Sequence, residues 1–296
     1  MSNFQRIQQL SENCVKENGF YPISFSYPSE RTHTTNKSKI LSSIIPGVPY
    51  SYDSYEEYIQ NYSNSEIAYT HKKAGWDCFR HLEILYAGAI PLMLDIFDVP
   101  QFTMAYYPKD LLETVTSKFL KNKYLPSVSI QNAILDHFND YLTCSRMVQN
   151  ILAIIGFAPK TILFLDDSLV ERPDYLSMLT LIGLKQNFGS NCVTYNEPSY
   201  LYDDFNGSTE LLYGKGFGYT RVLNWKLKKS VSRVEPLISF DLIVIGSLAR
   251  NPELVQMVED SMVPSIYLFG EDLPPNQAEL GMIHNSRAHT FVREIY

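Results

Sequence analysis

Cysteine is scarce and scattered in this sequence. Cys14, Cys78, Cys144 and Cys192 are the four residues, each more than 40 positions from the next, and no C-x-x-C pair occurs. That spacing argues against a disulfide framework or a structural zinc site and favours buried, reduced thiols in a cytoplasmic protein. No apolar run approaches the roughly 20 residues of a membrane-spanning helix, so no transmembrane segment is expected. The first ten residues carry no apolar signal core, which argues against secretion. Positive charge is in deficit: 25 Lys and Arg against 32 Asp and Glu give a net charge of -7. Duplex binders draw affinity from clustered Lys and Arg, so nucleic acid is not an expected partner. A small anionic ligand needs only two or three local cations and stays open. There is no G-x-x-x-x-G-K-[ST] phosphate loop and no G-x-S-x-G nucleophile elbow.

What is present is an ordinary globular composition, 45% hydrophobic and 19% charged, which excludes disorder for most of the chain. Tyrosine (21) and phenylalanine (16) are abundant. Such rings serve sugar or base recognition, and they also fill cores.

The pattern reads as two α/β halves, residues 1–156 and 157–296. In the first, 20–26 reads as a strand, 30–39 as a loop, 52–61 as a helix and 66–70 as a short buried strand. Residues 77–86 have helical periodicity and end at Gly88, and 90–94 is a second buried strand. Strand, loop, helix and strand make a βαβ unit. Residues 128–155 read as one long helix, stopped by Gly156 and Pro159. In the second half, strands are expected at 160–166, 191–195, 240–246 and 264–269, with helices at 173–188 and 252–262 between them. Residues 290–296 are strand-like. The expected fold class is therefore α/β, with two Rossmann-like domains.

The informative stretch is 65–91. A strand delivers the chain into a basic loop, His71, Lys72 and Lys73, and Gly75 then permits a tight turn before a helix. Helix N-termini attract anions, so cations beside one make a credible phosphate site. Arg80 and Glu83 lie three apart and project from one helix face. The guanidinium fork suits phosphate, and the carboxylate suits ribose hydroxyls. The plain alternative is solvated lysines and a surface Arg–Glu pair worth about 0.2–0.5 kcal/mol.

This segment resembles the nucleotide-sugar-binding half of exostosin-type glycosyltransferases and, more distantly, of other GT-B enzymes. The matching pattern is Ser65, Lys72, Arg80, Glu83, Ile90 and Pro91, in register without a gap, and the likeness covers residues 52–98. The resemblance implies that Lys72 and Arg80 contact the donor diphosphate and Glu83 the donor ribose. Lys73 and His81 are added by position, and the donor-binding set becomes Thr70, Lys72, Lys73, Gly75, Arg80 and Glu83. Asp95 sits one residue off the family's usual acid. GT-B enzymes place the acceptor domain first. Here the donor-like half precedes about 140 residues of α/β sequence, so a circularly permuted GT-B arrangement is expected.

The second half offers weaker candidates. Asp166 and Asp167 follow a buried strand at its carboxyl end, where α/β folds place ligands, and either could deprotonate an acceptor hydroxyl. A loop acid explains them equally well. Asp174 is read as a helix cap. Residues 213–219, with three alternate glycines, read as a loop facing the cleft, with Tyr213, Phe217 and Tyr219 as acceptor-binding candidates. His284 and His289 lack partners at ligand spacing. No Asp-x-Asp occurs, the metal-diphosphate motif of GT-A enzymes and the nucleophile motif of haloacid-dehalogenase phosphatases. The expectation is metal-independent transfer from a nucleotide-sugar to a glycan hydroxyl, with no metal or other cofactor. The alternative is a non-catalytic binding or scaffold module with a degenerate GT-B fold.

Overall fold

The computed structural model describes residues 2–30, 37–47, 52–123 and 125–296. Part of the loop expected at 30–39 lies outside them. Two parallel sheets organise the chain. In order, the elements are α1 (Asn3–Asn18), β1 (Tyr21–Pro22), β2 (Lys39–Leu41), α2 (Tyr55–Ser63), β3 (Ser65–Thr70), α3 (Phe79–Tyr86), β4 (Ile90–Met93), α4 (Lys109–Asn122), α5 (Val128–Tyr141) and α6 (Cys144–Ile154). They continue as β5 (Ile162–Leu165), α7 (Tyr175–Phe188), β6 (Cys192–Thr194), β7 (Leu242–Ile245), α8 (Leu254–Ser261), β8 (Ser265–Phe269), α9 (Gln277–Asn285) and β9 (His289–Val292).

The smaller sheet runs β2-β3-β4, and Ile67 to Thr70 pair with Ile90 to Met93 as the βαβ pattern requires. The larger runs β1-β9-β8-β7-β5-β6. Its strands are apolar on both faces, because helices cover both. Ile162, Phe164, Leu242, Val244, Ile266 and Leu268 share a core with α6 and α7. Their neighbours Leu163, Leu165, Ile243, Ile245, Tyr267 and Phe269 pack in a second cluster with Cys14 of α1, Val258 of α8 and Ile283 of α9. Alternation along each strand thus assigns a face to each layer. From β5 onward the order is that of a doubly wound sheet, reversing direction at β5 and β7.

Sheet membership does not follow the division at residue 156. Strand β1 pairs with β9, Tyr21 opposite Phe291 and Pro22 opposite Val292. Of the strand expected at 20–26, only these two residues join a ladder of named strands. The cluster on the α6–α7 face also includes Ile67, Leu82 and Ile90 from the smaller sheet, so the two sheets share a core. The helix expected at 128–155 is two helices. The Tyr27 amide donates to the Leu142 carbonyl at 2.8 Å, and the Cys144 amide to the Tyr27 carbonyl at 2.7 Å. A segment over 100 residues away takes the backbone groups that a continuous helix would have used. All four cysteines are free. Among the described residues, no helix is long and apolar enough to cross a membrane.

Helix α7 is buried all round from Leu176 to Lys185, as a helix between layers must be. Gly183 lets it touch α6: a Cβ there would lie 2.3 Å from the Cys144 carbonyl oxygen. We expect Gly183→Ala to destabilise the fold by about 1–3 kcal/mol despite alanine's better helix propensity. Urea unfolding checks this, and an unchanged midpoint would contradict the packing.

Candidate functional site

A cleft of about 390 Å³ opens between the two sheets, where both present the carboxyl ends of their strands. Lys73, Gly75, Arg80 and Glu83, from the loop after β3 and from α3, form one wall. Asp174 and Tyr175 at the start of α7, Arg250 after β7, and Glu271 and Asp272 after β8 form the other. Tyr213 and Phe217 close the rim. Such positions at strand ends are where α/β folds hold ligands.

Arg293 makes the floor. Its guanidinium is 1% exposed and uses every donor it has. Nε donates to the Gly270 carbonyl (3.0 Å), Nη1 to the Asp77 carbonyl (2.6 Å) and Glu294 Oε1 (3.0 Å), and Nη2 to the Glu271 carbonyl (3.0 Å) and Asp272 Oδ1 (2.5 Å). The group also stacks on Phe25, 4.3 Å from its centroid. One side chain therefore takes a carbonyl from each wall. Glu294 Oε1 also accepts the Asp77 amide at 3.0 Å. Gly75 is required by this approach, since a Cβ there would lie 2.5 Å from Glu294 Oε1. The sequence suggested a tight turn; the structure shows a shortage of room.

Burial pushes up the acids around this floor. The Asp77 carboxyl rises to about 6, against the pull of Arg293 and the bonds it accepts from the Phe25 amide and the Tyr107 hydroxyl. Glu83, also buried, rises to about 7, although the Tyr58 hydroxyl donates to its Oε2 at 2.8 Å. Glu294 rises to about 7 for the same reason. Burial lowers His81 to about 4. Its Nε2 faces the Trp76 carbonyl at 3.0 Å, which only accepts, so Nε2 carries the proton and Nδ1 accepts from Thr70 Oγ1 at 2.8 Å. His81 is neutral and shapes the turn into α3; it supplies no charge.

Six of the sequence-derived candidates border the cleft: Lys73, Gly75, Arg80, Glu83, Tyr213 and Phe217. Five do not. Thr70 is buried against His81. Lys72 lies over the faces of Trp76 (4.6 Å) and Tyr296 (5.1 Å), a cation–π seat that turns it from the cleft. Asp166 is buried with both oxygens engaged, accepting from Ser168 Oγ (2.6 Å), Ser177 Oγ (2.5 Å) and Asn251 Nδ2 (3.1 Å). Asp167 pairs with Arg233 and accepts from Asn196 (3.0 Å). Tyr219 is buried and donates to the Tyr213 carbonyl at 2.7 Å, so it positions Tyr213 instead of meeting a ligand. Asp174 is a cap, as the sequence suggested, accepting the Ser177 amide at 2.9 Å. Sequence reading missed Arg250, Glu271, Asp272 and Arg293, whose signal was only their place just past the strands.

Aromatic residues join the walls. Tyr27 stacks on Tyr86 (4.3 Å) and Phe79 (5.6 Å), and Phe79 on Tyr175 (4.6 Å, 19°). These rings form a stacked column running from α3 to α7. No family model, no curated protein and no solved structure matches the chain.

The raised Glu83 carboxyl has a consequence for stability. The folded state holds this proton more tightly than the unfolded chain, whose glutamate titrates near 4.5. The stability so contributed is full below about pH 4.5 and is lost as pH rises through about 7. Glu83→Gln keeps an acceptor for Tyr58 and removes the titration. Its stability should fall less than the wild type's between those pH values, by about 3 kcal/mol for the shift from 4.5 to about 7. Identical urea profiles across that range would contradict the assignment.

Proposed function

We propose that the chain is a glycosyltransferase moving a sugar from a nucleotide-sugar donor to a hydroxyl acceptor, with the GT-B-like donor site on the α3 wall. The observation that carries this reading is convergence on one cleft: Lys73, Arg80 and Glu83 on one side, Tyr213 and Phe217 at the rim, about 130 residues apart in sequence. The pairing of β1 with β9 supports the permuted domain order, since the first strand completes the sheet of the last.

In this reading Lys73 and Arg80 hold the diphosphate and balance the charge that develops as it leaves. Lys73 takes the part expected of Lys72. Glu83 orients the ribose. Tyr58 occupies its Oε2, which leaves Oε1 to accept a ribose hydroxyl. The exposed ring of Tyr213, edge-on to Tyr175 at 5.4 Å, offers a flat face to the acceptor sugar. No step is routed through a metal.

Arg80→Ala should weaken calorimetric binding of UDP or GDP by at least about tenfold, the cost of a lost charge-assisted bond. Equal affinity would remove Arg80 from the site. Turnover of UDP- or GDP-hexoses should survive EDTA; complete loss would replace the metal-free mechanism.

A further inference from the structure

Five carboxylates border the cleft: Asp77, Glu83, Asp174, Glu271 and Asp272. Four are committed. Asp77 accepts from Phe25 and Tyr107, and Glu83 from Tyr58. Asp174 accepts the Ser177 amide and pairs with Arg250 at 3.3 Å. Asp272 pairs with Arg293 at 2.5 Å.

Glu271 differs. Its backbone carbonyl is pinned by Arg293 Nη2 at 3.0 Å. Among the described residues, no hydrogen bond or ion pair engages its half-buried carboxylate. A fixed main chain with an uncommitted acid, on the wall facing Lys73 and Arg80, is what proton removal from a bound acceptor requires.

We propose that Glu271 is the general base of the transfer, taking the proton of the acceptor hydroxyl. The assignment rests on the glycosyltransferase reading and replaces Asp166 and Asp167 in that role. The acceptor O–H bond breaks and its proton passes to the Glu271 carboxylate. The acceptor oxygen bonds to the anomeric carbon. The bond from that carbon to the diphosphate oxygen breaks, and its electron pair leaves with the diphosphate. With the diphosphate held by Lys73 and Arg80 on one wall and the base on the other, the acceptor attacks opposite the leaving group, so the product is inverted at the anomeric carbon.

The surroundings suit the role. Burial and the nearby Asp174 raise the Glu271 carboxyl above the ordinary glutamate range, with smaller support from Asp272 and Glu279 and opposition from Arg250. A carboxylate so raised is a stronger base near neutral pH.

The test uses UDP- and GDP-hexose hydrolysis by the full chain, with water standing in for the acceptor, alongside calorimetry with UDP and GDP. Glu271→Gln and Glu271→Ala should lower hydrolysis about 100-fold while nucleoside diphosphate affinity stays within about twofold. Formate should restore part of the activity of Glu271→Ala and none of Glu271→Gln. The acid limb of the wild-type pH–rate profile should vanish in Glu271→Gln. Hydrolysis within about threefold of an active wild type would overturn the Glu271 assignment and leave the donor site standing. A retained anomeric configuration would also overturn it. A wild type that neither binds UDP or GDP nor hydrolyses the donors would instead overturn the parent reading, and this assignment with it.

Discussion

The Arg293 guanidinium is the contact on which the site depends. It is buried, and a buried charge is costly unless every donor is paired. Here all five N–H groups have partners, and those partners come from both sides of the cleft. The Asp77 carbonyl belongs to the loop entering α3, and the Glu271 carbonyl to the loop leaving β8. The width of the cleft floor is thus set by one planar group. Gly75 follows from the same constraint, because Glu294 occupies the space a side chain would need.

Chemical asymmetry follows from that floor. Arg293 is taken up by Asp272 and Glu294, and Arg250 pairs with Asp174. Lys73 and Arg80 line the α3 wall and Glu271 the β8 wall. Such a cleft suits a ligand that is anionic at one end and gives up a proton at the other. The aromatic column through Tyr27, Phe79 and Tyr175 stiffens both walls, and a rigid frame keeps opposed charges from collapsing together before a ligand enters.

The β3–α3–β4 unit was legible because its signals are local: a short buried strand, a basic loop, a helical period and Gly88. The strands and helices from β5 to β8 were legible for the same reason. Helix α1 was not anticipated, although Ser2 and Gln5 form a capping box that the sequence spells out. Other features depend on partners far along the chain. Tyr27 breaks the helix at Leu142, and β9 claims β1. Asp166 looked catalytic at its strand end, yet Ser177 and Asn251 take up its oxygens. Glu271 looked like nothing in sequence, and its role comes from what its neighbours already hold. Arg293 read as part of a strand, since no local pattern announces that its guanidinium bridges the β8 loop to the Asp77 carbonyl, over 200 positions away.

A crystal soaked with UDP or GDP tests the central claim most directly. The account predicts the diphosphate between Lys73 and Arg80, above the Arg293 floor, with the ribose at Glu83. Nucleotide bound in the crevice beside Asp166 and Ser247, or a cleft left empty at saturating nucleotide, would contradict it.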